Sequence, residues 1–251
     1  MKTHLYKIEC VTDMHVGSGE ANYSIIDNEV QKDTVLIDVP IIHASGVKGA
    51  TREHFGRFWG KDDPRIKEIF GDREDAGQYK FFNAFCIARP LRVSSGDRPY
   101  ILTTSAEILA SFSDFLRGLG LSSFYSFEEL VFDKEFLSSV PGIEIEGSET
   151  KHCMIPSVER LIGKEFAVAK SLRNYDLPTH ARNQLENGQS KHLWYEELVP
   201  HKSIFYFAVI TPNDTCALDF GNSGTVQFGG NATIGNGYTR ITEVQQHEKG
   251  D

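Results

Sequence analysis

The chain has 251 residues and a formal net charge of −9; 40% of its residues are hydrophobic and 24% are charged. No apolar run approaches the length that crosses a membrane, and the four cysteines stand far apart without a CxxC pair, so we expect a cytoplasmic globular protein without a zinc cluster. The acidic total argues against a basic surface over the whole molecule, although a local basic patch is compatible with it.

The first predicted strand leads into a loop rich in carboxylates. Residues 3–12 alternate in a mixed strand pattern, and the glycines of HVGSGE at 15–20 predict a loop that runs to residue 33. The side chains of this loop that can do chemistry are His15, Glu20, Asp27, Glu29 and Asp33. Carboxylates on a glycine-flanked loop can hold a divalent cation or polarise a 2′-hydroxyl, and His15 is suited to act as a general base. Ordinary solvated loop acids are the alternative interpretation.

The next feature along the chain is the predicted start of a helix at Ser45. The segment VLIDVP predicts a short strand that Pro40 ends, and Ser45 then predicts the N-cap of a helix whose apolar residues recur at helical spacing. The N-terminus of a helix attracts phosphate, and Lys48 and Arg52 share one face just inside it. Small residues such as Gly49 favour the close approach of another backbone. The alternative is an ordinary capped surface helix with two solvated cations.

The middle of the chain predicts a buried strand at 81–91 and a helix at 104–120, capped by Ser105 or Thr104 and ended by glycines. An acidic insertion follows at 122–150. Between Glu128 and Glu149 it has seven acidic side chains against one lysine, so this part alone carries −6 of the net charge. A further helix is predicted at 156–175, with Pro156 in its first turn.

The last third predicts a hairpin followed by strands. Asn187–Gly188 is the strongest hairpin signal in the chain, and its polar flanks suggest a hairpin that projects from the body. Residues 203–210 predict a strand, and residues 226–244 predict a strand, a glycine-rich loop and a second strand. Strands and helices that mix without regular alternation indicate an α+β fold, which we interpret as a ferredoxin-like sheet with insertions.

The loop at 229–237 has four glycines in nine residues, which let its backbone approach a ligand and leave amides free to bind an anion. It is not the phosphate loop of nucleotide hydrolases, because Asn236 stands where that loop needs a lysine. Tyr238 and Arg240 are suited to stack on a base and to hold a phosphate. We expect this loop and the 45–49 turn to converge into one groove. A tight turn without a ligand is the alternative.

Four sequence blocks resemble the RAMP superfamily of CRISPR proteins, and most of all the Cas-seven-type backbone subunit of the type III-B (Cmr) RNA-targeting complex. They are DMHVGSGE (13–20), IIHASGVKGATREHF (41–55), ARNQLENGQSKHLWYEELVP (181–200) and QFGGNATIGNGYTR (227–240). Because the blocks are spread from end to end, the resemblance implies a single RAMP domain over 1–251. The acidic insertion matches none of the blocks.

The resemblance implies a ferredoxin-like (RRM-like) palm whose copies stack head to tail along a guide CRISPR RNA, together with other subunits of the complex and without a membrane. It also implies a thumb hairpin, here at 177–197, that inserts at regular intervals into the duplex of guide and target RNA. The sequence departs from this pattern between residues 211 and 226. There the chain is too short and too rich in glycine for the second helix of the palm.

The resemblance further implies that each subunit cuts target RNA once, by 2′-hydroxyl attack that leaves a cyclic phosphate, with a weakly held divalent cation, Mg or Mn. Asp27 matches the catalytic aspartate of the family and would also bind the metal, and His15 is the second catalytic candidate. The residues expected to contact RNA are Ser45, Lys48, Gly49, Arg52, Arg182, Asn183, Gly229, Gly230, Asn231, Gly235, Gly237, Tyr238 and Arg240. Two alternatives are a non-catalytic RNA-binding scaffold and a guide-processing endoribonuclease that uses His15 as its base.

Overall fold

The computed structural model describes residues 1–19, 25–93, 99–121, 142–145, 148–152, 159, 161–163, 166–169, 172, 176–213, 216–221 and 224–245. Its helices are α1 (Ala44–Trp59), α2 (Pro64–Phe70) and α3 (Ala106–Gly118). Its strands are β1 (Lys2–Cys10), β2 (Ile41–Ile42), β3 (Lys80–Phe81), β4 (Ala84–Arg92), β5 (Tyr100–Ser105), β6 (Gly142–Ile145), β7 (Ser148–His152), β8 (Phe166–Ala169), β9 (Thr179–Glu186), β10 (Gln189–Glu197), β11 (Ile204–Thr211), β12 (Val226–Gln227) and β13 (Tyr238–Glu243). No helix in the described part of the chain is long and apolar enough to cross a membrane.

One large sheet forms the body of the molecule, with strands in the order β12-β13-β1-β11-β4-β5-β8-β7-β6, while β2 pairs with β4 and β3 with β11. β11 is antiparallel both to β1, with register Lys2↔Thr211 through Glu9↔Ile204, and to β4. β1 and β4 therefore run parallel on either side of β11, and α1 lies between them in the sequence. This is a split βαβ unit in a mixed α+β fold, as the sequence predicted at the level of fold class.

Both faces of the sheet centre are buried. On one face the Tyr6 and Phe207 rings stack with centroids 5.1 Å apart, and Phe220 joins them to Phe55 of α1. On the other face Tyr206 packs on Phe112 of α3, with ring centroids 5.3 Å apart. Because alternate residues of β11 point into two apolar layers, this strand is a continuous apolar run, which explains why its sequence predicts a strand so clearly.

The N-terminus of α1 differs from the prediction. Ser45 is not the N-cap; His43 occupies that position without a side-chain cap, and the helix begins at Ala44. The Ala44 amide donates to Asn83 Oδ1 at 2.8 Å and the His43 amide donates to Gln31 Oε1 at 2.8 Å. Side chains from distant segments thus replace the local cap, and they occupy two of the four amides that a helix start leaves without intrahelical partners.

The segment VLIDVP is a turn and not the predicted strand. Asp33 Oδ1 accepts hydrogen bonds from the amides of Val35 (2.7 Å) and Leu36 (2.9 Å), and the Val39 amide donates to the Leu36 carbonyl at 3.0 Å. Asp38 has a positive φ of 74°. The local hydrogen bonds of an aspartate therefore override the strand pattern of the apolar side chains.

The helix predicted at 156–175 is confirmed at residues 159, 161 and 162 but is wrong at residues 166–169. Leu161 and Ile162 are helical, but Gly163 follows with φ 115°, and residues 166–169 form β8, which pairs in parallel with β5. All four residues of β8 are buried, so sheet pairing overrides the helical pattern. Pro156 and its neighbours lie outside the described residues. So does most of the predicted acidic insertion, apart from the antiparallel pair β6 and β7.

Other predicted elements are confirmed. Ser105 caps α3, accepting from the Ile108 amide at 3.3 Å. β9 and β10 form a separate two-stranded sheet that turns at Asn187 (φ 52°) and Gly188 (φ 79°), the left-handed pair that a tight hairpin turn requires. In the described residues between β11 and β12 there is no helix.

Candidate functional site

The loop that carries His15 and Asp27 lies against one edge of β10. The Tyr195 amide donates to Asp27 Oδ2 at 2.8 Å, and His15 Nδ1 lies 2.8 Å from the carbonyl oxygen of Glu197. Between these contacts, Asn28 exchanges backbone hydrogen bonds with Tyr195 (3.1 Å) and Glu197 (2.9 Å). Tyr195 and Glu197 are two residues apart, so the anchor points of the two predicted catalytic side chains are about 7 Å apart along the strand.

The contact of His15 defines its tautomer. A carbonyl oxygen only accepts, so Nδ1 carries the proton and Nε2 of the neutral ring is the basic nitrogen. A Cβ added to Gly17 would lie 3.1 Å from Nε2, so a glycine at this position leaves room beside that nitrogen. Asp27 is exposed, with one carboxylate oxygen engaged by Tyr195.

The glycine-rich loop packs directly on the His15 segment. The Gly230 amide donates to the His15 carbonyl at 2.9 Å, and the Gly237 amide donates to the Asp13 carbonyl at 2.8 Å. A Cβ at Gly229 would overlap the His15 carbonyl, and one at Gly237 would overlap the Phe228 carbonyl. Packing therefore requires glycine at 229 and 237, whereas at Gly235 a side chain would meet open space.

The start of α1 is connected to the same segment. Gln31 donates from Nε2 to the Gly17 carbonyl at 3.1 Å and accepts the His43 amide through Oε1. α1 also packs against β12, the strand that leads into the glycine-rich loop. Residues 15–17 are therefore linked both to the start of α1, through Gln31, and to the glycine-rich loop, through the Gly230 amide. The convergence of the two turns into one groove stays a prediction.

Four cationic or aromatic candidates have different surroundings. Lys48 is half-buried and Arg52 is exposed, and in the described chain no carboxylate lies within ion-pair distance of either. Tyr238 is anchored by its amide, which donates to Thr12 Oγ1 at 3.0 Å. Arg240 is opposite Glu9 in the sheet, on the face away from α1, so the structure does not bring it to the groove between the two turns.

Glu196 connects the hairpin to the glycine-rich loop. Its side chain is 8% exposed, and Oε2 accepts from Arg182 Nη1 at 3.1 Å and from Asn231 Nδ2 at 2.8 Å. Oε1 accepts from Trp194 Nε1 at 2.8 Å. A buried carboxylate with three donors is well satisfied. Arg182 and Asn231 were both predicted to contact RNA, and in this structure both donate to Glu196 within the protein.

Glu197, the next residue of β10, binds the segment that follows Asp27. Its side chain is buried, and Oε2 accepts from the Val30 amide at 3.1 Å while Oε1 lies 3.4 Å from Lys32 Nζ. Partial burial alone would lower the pKa of Lys32, but the carboxylates of Glu197 and Glu29 raise it above its ordinary value. The loop is therefore held to β10 by charge as well as by backbone pairing.

The two faces of the hairpin differ. Trp194 stacks on the His192 ring (centroids 5.2 Å apart, 22° between planes), and the Arg182 guanidinium lies 5.7 Å from the Trp194 centroid. The opposite face exposes Leu185, Leu193 and Tyr195, next to Asn183, whose Oδ1 accepts from Ser190 Oγ at 2.8 Å. Exposed rings and apolar side chains on a two-stranded hairpin are suited to contact bases or another protein surface.

Comparison with known proteins shows the family of the chain. A model of the RAMP superfamily matches residues 7–240. The chain belongs to the RAMP superfamily. It is 25% identical to the CRISPR system Cmr endoribonuclease Cmr4 of Pyrococcus furiosus, over 96% of both chains.

RAMP structures also resemble the whole fold. A chain of the type III-B Cmr-beta complex bound to cognate target RNA superposes with a TM-score of 0.78 at 23% identity, covering 97% of this chain and 98% of that one. Oligomeric Cmr4 from Pyrococcus furiosus superposes with a TM-score of 0.63 at 19% identity, covering 97% of this chain and 98% of the other. The resemblance of the sequence to the RAMP superfamily is thereby confirmed.

A metal site fits the described side chains poorly. Within the described ranges, no group of three His, Cys, Asp or Glu side chains is placed to hold a metal ion. Asp27 would contribute a single carboxylate, and the other ligands would have to come from RNA or water. The binding of a cation by Asp27 stays a prediction.

The sequence alone did not identify Glu196, Glu197 and Gln31. They form hydrogen bonds to the segments that carry His15, Asp27 and Asn231 and to the start of α1. Each is an ordinary polar residue in its local context, and its partners are far away in the sequence: Glu196 binds Asn231, and Gln31 binds His43. One local signal was available. Two adjacent glutamates at the end of a strand that becomes buried are unusual, because buried carboxylates need dedicated donors.

Proposed function

We propose that this chain is a repeating, RNA-binding backbone subunit of a type III-B CRISPR effector and that it cuts target RNA paired with the guide. One observation carries the proposal: His15 and Asp27 are both hydrogen-bonded to the edge of β10 in the hairpin, and the glycine-rich loop packs on His15. The similar proteins support it, since one is named a Cmr endoribonuclease and another belongs to a Cmr complex bound to target RNA.

We infer that the palm is ferredoxin-like. The strands β13, β1, β11 and β4 are adjacent in that order, with the split βαβ unit at their centre. The described residues between β11 and β12 would then take the place of the second helix of such a palm. The hairpin at 177–197 would then be the thumb, which inserts between segments of the duplex of guide and target RNA.

The guide backbone would cross the groove between the two turns. The amides of Ser45 and Gly46 are the two at the start of α1 that Gln31 and Asn83 leave open, and they lie at the positive end of the helix dipole. Lys48 and Arg52 add charge there, and the glycine-rich loop adds backbone donors from the other side. Head-to-tail copies would extend this path along the guide, and the oligomeric state of the similar Cmr4 structure supports association between copies.

The chemistry would be attack by the 2′-hydroxyl on the adjacent phosphate. His15 Nε2 would accept the hydroxyl proton while the 2′-oxygen bonds to phosphorus and the bond to the 5′-oxygen breaks. The products would be a 2′,3′-cyclic phosphate and a 5′-hydroxyl, which takes up a proton. Asp27 would orient and polarise the hydroxyl. We propose that a Mg or Mn ion bound jointly by Asp27 and RNA supports cleavage, and that chelation stops cutting without releasing the guide.

The deciding experiment compares wild type with Asp27→Ala in complexes assembled on guide RNA and offered a matching target. We expect unchanged guide binding and a loss of cleavage of at least about 100-fold, the range of a lost general acid–base or orienting group. Continued cutting by Asp27→Ala would remove this residue from the mechanism.

Two alternative functions give different results in the same assay. A wild-type complex that binds guide and target but never cuts would identify a scaffold, an alternative favoured by the structural bond of Asp27 to Tyr195. Processing of precursor guide RNA by the isolated chain, abolished in His15→Ala, would identify a guide-processing endoribonuclease.

A further inference from the structure

A cleft of about 420 Å³ opens at the end of β1, on the face of the sheet away from α1. Its apolar floor is formed by Leu102, Ile162 and Ile204, and its rim by Tyr100, Lys202 and Arg240. The volume is in the range of sites for small ligands. None of the chemistry assigned to His15, Asp27 and the start of α1 uses this cleft.

Lys202 is held over the cleft at a conformational cost. Its φ is 71°, a region that residues other than glycine and asparagine seldom adopt, and its amide donates to the Cys10 carbonyl at 2.7 Å. This turn places Nζ 5.4 Å from the centroid of the Tyr100 ring. A strained backbone that presents a cation beside an aromatic ring is a feature typical of ligand sites.

The second cation of the rim is also available to a ligand. Arg240 is opposite Glu9 in the sheet, but the Glu9 carboxylate lies 2.7 Å from Lys7 Nζ. The Asp13 carboxylate nearby lies 3.1 Å from His201 Nδ1. In the described part of the chain, neither Lys202 nor Arg240 has a carboxylate within ion-pair distance. Glu9 also lines the cleft, but its carboxylate is paired with Lys7, so Lys202 and Arg240 are the cations of the lining that remain for a ligand.

We propose that this cleft binds one nucleotide, with its base on the apolar floor beside Tyr100 and its phosphate between Lys202 and Arg240. Two cations suit a phosphate, and an aromatic wall over an apolar floor suits a base of any sequence. A nucleotide within the bound RNA is the source that the geometry favours. Arg240 follows Tyr238 on the same face of β13 by two residues, about 7 Å, so a strand on the glycine-rich loop can continue into the cleft.

The inference rests on the proposed RNA-binding function, and its test separates the two. RNA affinity of the full-length chain is measured over a range of salt concentrations. Lys202→Ala combined with Arg240→Ala should lower the slope of log affinity against log salt by about 0.7, one phosphate of a single strand. Lys67→Ala is the matched control, because its cation is on α2 and is already paired with Asp72 and Asp75.

Substitution of Tyr100, the aromatic residue of the cleft, should change RNA affinity in a different way. Tyr100→Ala should weaken RNA binding about tenfold without changing the salt slope, since stacking releases no counterions, and Tyr100→Phe should restore the affinity. A merely structural role of Tyr100 would instead lower the melting temperature of the Ala variant and leave the affinity of its folded fraction unchanged, which would overturn the assignment.

The remaining outcomes distinguish the source of the nucleotide. One outcome is that AMP binds wild type but not the double variant, while both proteins have the same salt slope of RNA affinity. The cleft then takes a free nucleotide, and its assignment to RNA is wrong. If the double variant changes neither RNA nor AMP binding while Lys48→Ala still flattens the slope, the cleft proposal fails and the proposed function stands. A defect confined to self-association without RNA would identify a protein contact and overturn the proposal. If the wild-type chain binds no RNA, both the proposed function and the cleft proposal are wrong.

Discussion

The centre of the sheet and the edge of β10 both use backbone hydrogen bonds, but with different partners. In the centre, β1 and β11 pair residue against residue from Lys2↔Thr211 to Glu9↔Ile204. At the edge of β10, a carboxylate and an imidazole occupy positions that a neighbouring strand would otherwise fill, at Tyr195 and Glu197. The centre thus provides stability, while the edge holds reactive side chains in place with few contacts.

The comparison also explains how each region is encoded. The centre needs apolar side chains at alternate or continuous positions of two strands, a pattern visible within each strand. The edge needs single polar residues from four separate segments, which meet only after the sheet has formed. Variants in the centre should therefore change the free energy of unfolding, and variants at the edge should change function first.

The largest effect on stability is expected for Phe207→Ala. Phe207 is fully buried and stacks on Tyr6, so its removal should lower the free energy of unfolding by about 3–5 kcal/mol, as measured by urea denaturation. Leu193→Ala, an exposed apolar residue of the hairpin, is the control and should cost less than about 0.5 kcal/mol. Similar losses in the two variants would contradict the division between centre and edge.

Glu196→Gln should affect both properties. The amide nitrogen of glutamine cannot accept, so Arg182 and Asn231 lose part of a charge-assisted contact, at a cost of about 1.5–3 kcal/mol. We also expect about tenfold slower target cleavage in the assembled complex, because the hairpin and the glycine-rich loop are no longer joined. Glu186→Gln, whose exposed carboxylate pairs with Lys191, is the control and should change neither. Unchanged cleavage in Glu196→Gln would limit this residue to a stabilising role.

Gly229→Ala tests whether the loop glycines serve packing or ligand approach. A methyl group at 229 would overlap the His15 carbonyl, and its φ of 74° adds strain, so we expect a cost of more than about 1 kcal/mol and reduced cleavage through displaced His15. Gly235→Ala has similar strain (φ 87°) but open space around it, so it isolates the effect of the overlap. Equal thermal stability and cleavage in the two variants would refute the packing role.

The sequence predicted the regular elements better than the side-chain network. The strand at β11, the capped helix α3 and the Asn187–Gly188 turn each depend on local patterns, and each is confirmed. Asp33 and β8 show where local patterns fail, since a side-chain hydrogen bond or a partner strand decides the outcome. The contact of the glycine-rich loop with His15 was not predicted, and Glu196 could not be predicted because its three donors come from positions 182, 194 and 231.

The smallest effect is expected for Lys48→Ala, at the start of α1. Its cation has no carboxylate partner in the described chain and lies four residues after Ala44, the first residue of the helix, near the end that attracts phosphate. We expect RNA affinity to fall a few-fold for every sequence tested, with a salt slope reduced by about one phosphate contact. Arg57→Ala is the matched control, because it removes an exposed cation paired with Glu53 from the other end of the same helix. An unchanged salt slope in Lys48→Ala would mean that the start of α1 binds RNA through backbone amides alone. An equal change in Arg57→Ala would mean that the charge of α1 acts only from a distance.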